Sequence, residues 1–565
     1  MRILFVARHF TYFRNYDLAL RELARRGHTI HLAVEKREAQ GGQQAVEALA
    51  REHAGITFGD VPDRPDQEWA DLARRLRLGL HYVRYLDAAY DDASLLRLRA
   101  RDRTPSAVIR LAGLPVVGGR LWRRLVGRLV HDLDRAIPPP ATLVDYLREQ
   151  RPDVVLITPL VDLGSQQIDV LRAARRLGIP TALAVWSWDH LTSKAVLREY
   201  PERVLVWNET QRREAIDGHG VPGGRVVVTG AQCFDHWFNR QPSRTRDAFC
   251  HQLGLPADRP IVLWVCSALI QGGPLEPSFV RQWLQALRAS SDPGVATAAV
   301  VIRPHPAQVR HWEGIDVSDL GPVAVWGGNP IDAQSRADYF DSLYHAAAVA
   351  GINTSAFIEA GIVGREVLAV LTPEFHDNHE GTLHFRYLLE IGNGLLRVSR
   401  DLGAHVLQVS AALARPASSE HPHRAFLEAF VRPAGLDQPA TPRFVEAVEG
   451  LATCTVDRAD QRPAPWWARR AVGAVRTWLS RPENERWRLS PRELEAAEQV
   501  HAYKMARRAA RHAKREVDKG RWDGPQGRAM AEERAASAGA RAVELARKRA
   551  AAPAHLTSRR GGQDQ

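Results

Sequence analysis

Short apolar runs alternate with helix-like segments along most of the chain, and this alternation constrains the fold more than any other feature. The run RILFVA at residues 2–7 precedes a helical pattern that Gly27 ends, and a second apolar run, HTIHLAVE, follows at residues 28–35. Two strands joined by a helix pair in parallel, because the crossover returns the chain to the same end of the sheet. The sequence therefore predicts an α/β fold built on parallel sheets.

The alternation continues in two sets, which predicts two doubly wound, Rossmann-like domains that face a cleft. The first set continues through a strand at residues 154–158 and ends at RVVVTG, which gives an acceptor-side domain of residues 1–235. The second set begins at RPIVLWVCSA and closes with helices near Leu451, which gives a donor domain of residues 236–455. Between the first strands, residues 41–134 are charged and helical in pattern, without clear strands.

Residues 456–565 differ in composition from both domains. They are basic and rich in alanine and arginine, and from Arg481 onwards they contain 20 Lys and Arg against 12 Asp and Glu. This composition favours helices but offers little apolar surface to bury. From about Ser490 onwards we therefore expect a basic tail, helical or disordered, that the folding of the two domains does not require.

Cysteine content and apolar run lengths exclude disulfide-rich and membrane-spanning classes. The 565-residue chain has a net charge of +12 and four cysteines, none in a CxxC pair, which favours a reducing compartment. It lacks an uncharged apolar run of about 18 residues, and its first apolar run is short for a signal peptide. We expect a cytoplasmic protein that can also associate peripherally with the inner face of the cell membrane.

Two amphipathic segments raise the prospect of an anionic membrane surface as a partner. In RLWRRLVGRLVHDL, Leu121, Leu125 and Leu129 share one half of a helical wheel and arginines take the other, and residues 466–479 repeat the theme. Helices that lie in a bilayer interface have this pattern. A helix packed on the body, with its arginines in water, has the same pattern, so both interpretations stay open.

The segment GINTSAFIEAG carries the strongest candidate ligand contacts. A strand ends at Asn353 and a helix begins within two residues, with Thr354 or Ser355 as its cap. Free amide groups at a helix start attract phosphate, and Glu359, one turn in, can accept from ribose hydroxyls. The alternative is an ordinary helix cap with a surface glutamate.

A second strand end, VVIRPHP, carries Arg303 and His305. An arginine can clamp a phosphate with two N–H groups, and a histidine can donate to a phosphate or act as an acid or base. Strand ends of open sheets meet at the ligand crevice, so we expect this loop and residues 353–359 to converge on one nucleotide. Ser267 in the loop CSALIQGG is a weaker candidate for the same crevice.

The first domain offers polar loops after two strands, on the side where an acceptor would enter. RHFTYFRNY contains His9, Arg14 and Asn15, and WSWDHLTSK contains Asp189 and His190. Either His9 or Asp189 is our candidate for the base that deprotonates an acceptor. A core position for the two tryptophans, with the remainder a solvated loop, is the alternative.

The loop PEFHDNHEGTLHF is dense in histidine and acidic residues. Its spacing matches no known set of zinc ligands, and it has no HExxH motif. We interpret it as a loop over the nucleotide and assign no metal site.

GINTSAFIEAG, RPHP and the early segment FRNYDLALRELARRGH resemble the GT-B superfamily, over about residues 1–450. The most similar branch is the bacterial surface-polysaccharide glycosyltransferases, including proteins like CDP-glycerol glycerophosphotransferase. In that family the second domain binds the nucleotide diphosphate. The resemblance places Asn353, Thr354 and Ser355 at the phosphates and Glu359 at the ribose. Arg303 and His305 match the family's Arg-His-Pro loop, whereas Asn-Thr-Ser replaces its acidic-serine phosphate motif.

The resemblance implies transfer of a glycosyl or glycerophosphate group in cell-surface polysaccharide biosynthesis, with His305 as a catalytic residue. The donor would be a substrate, CDP- or UDP-linked, and no cofactor is implied. The acceptor would be a polysaccharide, a lipid-linked molecule or a polyol phosphate, and no specific nucleic acid is expected.

Two other function classes fit the same layout. UDP-N-acetylglucosamine 2-epimerase shares the nucleotide pocket but needs several carboxylates in its first domain, for which Asp162, Asp189 and Glu209 are available. A non-catalytic shell that recruits partners through its tail is the third class. The presence of Arg303, His305 and Glu359 favours an enzyme over such a shell.

Overall fold

The computed structural model describes residues 1–37, 41–115, 119–161, 164–268, 275–415, 421–457, 462–519 and 524–550. The chain divides into two compact units. Unit 1 comprises Met1–Ala70, Asp87–Leu96 and Arg135–Ala464, and unit 2 comprises Asp71–Leu86, Arg97–Asp134 and Pro465–Gln565. All the strands described below belong to unit 1.

The first sheet has seven parallel strands in the order β3-β2-β1-β4-β5-β6-β7. Their bounds are β1 Arg2–Ala7, β2 Thr29–Val34, β3 Ile56–Asp60, β4 Val154–Thr158, β5 Thr181–Ala184, β6 Arg203–Val206 and β7 Val226–Val228. The edge strand β3 lies in the stretch where the sequence predicts no strand. Its sequence, ITFGD, escapes detection because it is short and ends in residues that strands disfavour.

The second sheet has six parallel strands in the order β10-β9-β8-β11-β12-β13. Their bounds are β8 Ile261–Val265, β9 Ala299–Arg303, β10 Val323–Val325, β11 Ala348–Gly351, β12 Glu366–Val370 and β13 Arg397–Ser399. In each sheet the strand order reverses beside the first strand, between β1 and β4 and between β8 and β11. Ligands of open α/β sheets bind beyond the carboxyl ends of the strands at such reversals.

Helices connect and flank the strands. The α-helices are α1 Asp17–Arg25, α2 Gly42–Glu52, α3 Gln67–Arg84, α4 Ser94–Arg103, α5 Ser106–Ala112, α6 Gly119–Arg135, α7 Ala141–Gln150, α8 Gln167–Arg176, α9 His190–Ser193, α10 Glu209–Arg213, α11 Arg246–Leu253, α12 Glu276–Arg288, α13 Pro293–Ala296, α14 Ala333–His345, α15 Ala356–Ile362, α16 Tyr387–Glu390, α17 Leu402–Leu413, α18 Arg424–Phe430, α19 Ala440–Leu451, α20 Trp466–Ser480, α21 Glu485–Arg488, α22 Pro491–Lys519 and α23 Gly524–Ala550. Short 3-10 turns span Phe10–Tyr16, Ala88–Tyr90, Gly223–Arg225, Gln232–Trp237, Pro306–Trp312, Ser318–Leu320, Pro373–Asn378, Ile391–Asn393 and Pro482–Asn484, and a π turn spans Glu214–Gly218.

Both faces of each sheet are buried, as parallel sheets require. Ile3 and Phe5 of β1 pack into one apolar cluster and Leu4 and Val6 into another, because successive side chains of a strand point to opposite faces. The second sheet likewise contributes to two clusters. The predicted fold class, α/β with two doubly wound Rossmann-like domains, is confirmed.

The compact units do not follow the predicted domain boundaries. Phe444, Val445 and Val448 of α19 join the apolar cluster that contains Phe5, so this late helix packs on the first sheet. Residues 71–86 and 97–134, predicted within the first domain, belong to unit 2 together with the C-terminal helices. Sequence order alone could not reveal that α19 packs on the first sheet or that residues 71–86 and 97–134 join the C-terminal helices. In both cases the segments that pack together are far apart in the chain.

The first residues of the tail depart from the expectation of a solvated segment from Ser490 onwards. Ser490 and Glu493 are buried, and the Glu493 carboxylate lies 2.8 Å from the Arg75 guanidinium and 3.2 Å from that of Arg74. The contacting residues are 418 and 419 positions apart in the chain, so the composition of the tail gave no sign of them. Within the described ranges the tail is helical, and none of its helices, nor any other described helix, is long and apolar enough to span a membrane.

Candidate functional site

Ser267 and Asn353 lie where the order of the second sheet reverses, one after β8 and the other after β11. The Asn353 amide N–H donates to Ser267 Oγ over 3.1 Å, and the Ser267 N–H donates to the Glu276 carboxylate over 2.9 Å. Ser267 is buried and its hydroxyl oxygen joins the two strand ends, which disfavours a direct contact with a ligand. The glycines that follow it, Gly272 and Gly273, lie outside the described residues.

The Asn353 side chain faces the histidine-rich loop. Its Nδ2 donates to the Asn378 carbonyl over 2.6 Å, while its buried Oδ1 has no hydrogen-bond partner among the residues that the structure describes. Thr354 Oγ1 accepts from the Ala356 N–H over 3.3 Å. Ser355 is exposed and makes no side-chain cap, so Thr354 supplies the hydroxyl that bonds the start of α15.

Glu359 lies on α15 and accepts a hydrogen bond from the Tyr339 hydroxyl of α14. Burial raises the pKa of Glu359 to about 7, although the Tyr339 hydroxyl and the charges of Arg14 and Arg303 act in the opposite direction. Burial also raises the pKa of Tyr339 well above its ordinary value. Glu359 is therefore part of a half-buried cluster, and the alternative of a surface glutamate does not hold.

Arg303, the last residue of β9, is held from several sides. It is 5% exposed, and its two Nη atoms donate to Ser342 Oγ and the Gly328 carbonyl, each over 3.2 Å. Its Cζ lies 4.8 Å from the centroid of the Tyr339 ring, which brings it beside the Glu359 partner. Gly327 adopts φ +107°, and a Cβ there would come within 2.3 Å of Arg303 Nη1. The guanidinium is thus fixed by the protein itself.

His305 follows two residues later and is half-buried. Its Nδ1 accepts from the Ala307 N–H over 3.1 Å, which in a neutral ring leaves the proton on Nε2. Burial, helped by the nearby charge of Arg14, lowers the pKa of His305. The ring is therefore suited to donate from Nε2 to an anionic oxygen.

Arg14 comes from the other sheet, at the end of the 3-10 turn that follows β1. It is exposed, and its charge acts on Glu359, Tyr339 and His305. Loops from both Rossmann-like domains of unit 1 thus converge on one cluster, which we call the arginine–glutamate cluster: Arg14, Arg303, His305, Tyr339 and Glu359. The expected convergence of the RPHP and NTSAFIE loops is observed, whereas nucleotide binding there stays a prediction.

Asp189 lies at a second place where the two domains meet. Its carboxylate accepts from Ser187 Oγ and, over 2.7 Å, from Ser193 Oγ. Burial raises the pKa of Asp189, but Lys194, His384 and the two hydroxyls outweigh burial and hold it well below its ordinary value. A carboxylate stabilised in its charged form is a weak base, which disfavours Asp189 as the group that deprotonates an acceptor.

His190 is fully buried, and both ring nitrogens are already engaged. Its Nε2 lies 2.7 Å from the Pro159 carbonyl, and its Nδ1 accepts from the Trp186 N–H over 3.4 Å. Burial lowers its pKa to about 4, so the ring is neutral at physiological pH. These hydrogen bonds disfavour the predicted acceptor contact of His190, because sequence shows the residue type but not which of its hydrogen bonds are taken.

His9 and Asn15 lie in the loop and turn after β1. His9 is half-buried, with Nδ1 3.3 Å from Thr11 Oγ1. Asn15 Nδ2 donates to the Trp186 carbonyl over 2.9 Å, which ties this turn to the loop after β5. Of the carboxylates named for an epimerase, Glu209 is exposed and pairs with Arg212 at 3.3 Å, and Asp162 lies outside the described residues.

The sequence does not predict Tyr339 as a site residue, and it does not predict that His384 lies near Asp189. Tyr339 sits in the middle of α14, where nothing in the helical pattern distinguishes it. His384, in the histidine-rich loop, packs edge to face against Trp188, with 4.6 Å between the two ring centroids, and it lies near Asp189. Only the packing of the two domains of unit 1 reveals either residue.

The same loop brings potential ligand atoms of His376, His379 and Glu380 within 4.8 Å of one another. However, His379 Nδ1 already accepts from the Glu380 N–H over 2.7 Å, and Arg400 binds the Glu380 carboxylate at 2.7 Å. Two of the three groups are thus engaged within the protein, so this trio does not constitute a prepared metal centre.

An open depression of about 990 Å³ lies away from the arginine–glutamate cluster, between α1 and the segments around α18 and α19. Several arginines line it, each paired with a carboxylate: Arg25 with Glu22, Arg424 with Glu428 and Arg432 with Asp235. These pairs leave little uncompensated charge for a ligand, so we do not place the functional site there.

No protein-family model matches the sequence, and no curated protein matches it. Among solved structures, a UDP-GlcNAc 2-epimerase from Methanocaldococcus jannaschii is 10% identical with a TM-score of 0.44, and the alignment covers 80% of this chain and 100% of that one. A glycosyltransferase from Rickettsia africae is 9% identical with a TM-score of 0.45, covering 80% and 99%. MurG from Acinetobacter baumannii is 12% identical with a TM-score of 0.39, again covering 80% and 99%. Similarity this remote assigns no activity, and the fold class follows from the strand orders themselves.

Proposed function

We propose that this protein transfers a glycosyl or glycerophosphate group from a CDP- or UDP-linked donor in cell-surface polysaccharide biosynthesis. The observation that carries the proposal is the arginine–glutamate cluster. It combines an exposed cation, a neutral imidazole N–H donor and a carboxylate that titrates near neutrality, beyond the carboxyl ends of two open sheets. This combination is complementary to a nucleoside diphosphate, which has an anionic diphosphate and a ribose with hydroxyl donors.

The roles follow from the charge and orientation of each group. Arg14 is exposed and cationic, so it suits the diphosphate, and His305 Nε2–H suits a phosphate oxygen. The Glu359 carboxylate suits the ribose hydroxyls, and Asn353 Oδ1, which has no partner within the described ranges, is an additional acceptor. Arg303 is a positioning residue in this proposal, since one N–H of each Nη bonds a protein oxygen and its guanidinium lies over the Tyr339 ring.

His9 is the first-domain group that we assign to deprotonation of the acceptor. The alternative, Asp189, has a carboxylate that is stabilised in the charged form and already accepts hydrogen bonds from two hydroxyl groups. We assign Asp189 instead to orienting the loop after β5 against His384. If Asp189→Asn rather than His9→Ala alters the acidic limb of the pH–rate profile, where a general base becomes protonated, the two assignments must be exchanged.

A thermal-shift comparison of CDP, UDP and GDP with the full chain tests the proposal. A ligand that binds only the folded state raises the melting temperature, by an amount that grows with its concentration. We expect CDP or UDP to raise it and Glu359→Gln to reduce that rise. Glu313→Gln is the matched control, because Glu313 is exposed and lies outside the cluster. If none of the three nucleotides raises the melting temperature, or if both variants respond alike, the proposal fails.

A further inference from the structure

The positive charge of the chain is concentrated in unit 2. This unit contains 36 Lys and Arg against 16 Asp and Glu, a net charge of +20, whereas unit 1 contains 41 against 49, a net charge of −8. The excess therefore extends beyond the tail to residues 71–86 and 97–134. A charge of this size on one compact unit attracts an extended anionic surface through its summed field.

Helix α6 of unit 2 presents leucines to solvent. Val126 and Val130 are buried, whereas Leu121, Leu125 and Leu129 are 64%, 47% and 38% exposed. The three leucines are four residues apart, so they form one stripe along the helix. The apolar arc of α6 is thus wider than the face that packs, and the three leucines are exposed to solvent among the residues that the structure describes.

Exposed arginines run beside this stripe. Arg120, Arg124 and Arg128 each precede one of the leucines and repeat with the same spacing of four residues. A row of leucines flanked by a row of arginines is the surface of a helix that lies in a bilayer interface, with apolar side chains among the acyl chains and cations at the phosphates. The opposite edge of α6 is packed, so the two rows face outwards together.

Tryptophans add a second interfacial feature to unit 2. Trp466 on α20 is 67% exposed, and Arg470 lies 5.8 Å from the centroid of its ring. Trp478, near the end of the same helix, is also exposed. Tryptophan is enriched at the headgroup level of membranes, where one part of the indole is wet and the other apolar.

We propose that unit 2 docks the protein on an anionic phospholipid surface, with the leucines of α6 inserted and its arginines bound to lipid phosphates. Charge complementarity selects an anionic partner, and the leucine stripe selects a lipid over a nucleic acid. A phosphodiester backbone is bound by cations and gains nothing from three exposed leucines beside them. The inference does not depend on the proposed transferase activity.

Vesicle sedimentation with the full chain tests this docking. One set of vesicles is phosphatidylcholine, and the other contains phosphatidylglycerol as a minor component. We expect binding to the anionic set only, weakened at high salt because surface charges are screened. Replacing Arg120, Arg124 and Arg128 with Gln should weaken binding about a hundredfold. Replacing Leu121, Leu125 and Leu129 with Gln should weaken it at least about tenfold.

Leu407→Gln is the matched control, because Leu407 is 72% exposed but belongs to α17 of unit 1. It should bind vesicles like the unchanged protein. All replaced residues are exposed, so circular dichroism should confirm that each variant is folded. Equal binding to both vesicle sets, or full binding by the leucine variant, overturns the proposal. So does binding to duplex DNA without binding to anionic vesicles. The thermal shift with CDP or UDP should be the same in these variants as in the unchanged protein. Failure of membrane docking can then be distinguished from failure of the proposed nucleotide binding.

Discussion

The Glu359 carboxyl makes the stability of unit 1 depend on pH near neutrality. Burial raises the pKa of Glu359 from its ordinary 4.5 to about 7. One pKa unit corresponds to about 1.4 kcal/mol, so this rise corresponds to up to about 3 kcal/mol. Because the folded pKa lies above the unfolded one, folding binds a proton in between. The Glu359 contribution is therefore complete below about pH 4.5 and is lost as the pH rises through 7.

The substitution Glu359→Gln isolates this contribution. Glutamine keeps an oxygen that accepts from the Tyr339 hydroxyl, but it does not titrate. Relative to the unchanged protein, we expect the variant to gain stability as the pH rises from about 5 to 8.5, by up to about 3 kcal/mol. Glu276, whose pKa burial also raises to about 7, is present in both proteins, so its effect cancels in the difference.

Urea unfolding followed by tryptophan fluorescence, at matched pH values, measures this difference. Glu313→Gln removes an exposed carboxylate elsewhere in unit 1 and is the control for the loss of one acidic side chain. If the difference between Glu359→Gln and the unchanged protein does not change with pH, the Glu359 carboxyl titrates at its ordinary value. The electrostatic description of the arginine–glutamate cluster would then be wrong.

Three further substitutions and one assay test the remaining structural assignments. Gly327→Ala should destabilise the protein by more than about 1 kcal/mol, because its φ is positive and its Cβ would strike Arg303; an unchanged urea midpoint would contradict this. His190→Ala should cost about 1–3 kcal/mol but leave the nucleotide Kd of the folded protein unchanged, and a weaker Kd in a titration would make His190 a ligand contact. Glu493→Ala should cost toward the lower end of about 3–5 kcal/mol, since Arg75 keeps one other carboxylate, and an unaltered unfolding curve would show that the pair is unimportant. Purified protein incubated with UDP-N-acetylglucosamine alone should yield no epimer, and clean epimer formation would replace the transferase with an isomerase.

The architecture of unit 1 could be predicted because buried parallel strands have a distinctive sequence pattern. The strand predicted at residues 154–158 has the observed bounds, and the two sets of strands form the two observed sheets. The missed strand β3 lies at a sheet edge, where weaker apolar patterning is tolerated. The composition of unit 2 could not predict its packing, because Glu493 is buried only through arginines that lie more than 400 residues earlier.

The candidate site could be predicted only where residues follow a strand. Arg303 and Glu359 meet because both come from carboxyl ends of the second sheet, and topology brings these ends together. The sequence could not show that Ser267 Oγ and both ring nitrogens of His190 form hydrogen bonds with other protein atoms. Nor could it identify Tyr339, whose hydroxyl joins α14 to α15 through a contact that no local pattern encodes.

Asp189 and Glu359 illustrate how unit 1 treats two carboxylates differently. Hydroxyl donors and neighbouring cations stabilise the charged form of Asp189, which keeps its pKa well below the ordinary value despite burial. At Glu359 burial prevails over its cationic neighbours, and the pKa rises to about 7. When environments separate two pKa values in this way, the groups differ in chemical capacity. At neutral pH Asp189 is a permanent acceptor of hydrogen bonds, whereas Glu359 can take up or release a proton when a ligand binds. In our proposed site, the group that exchanges a proton is therefore the one that we assign to the nucleotide.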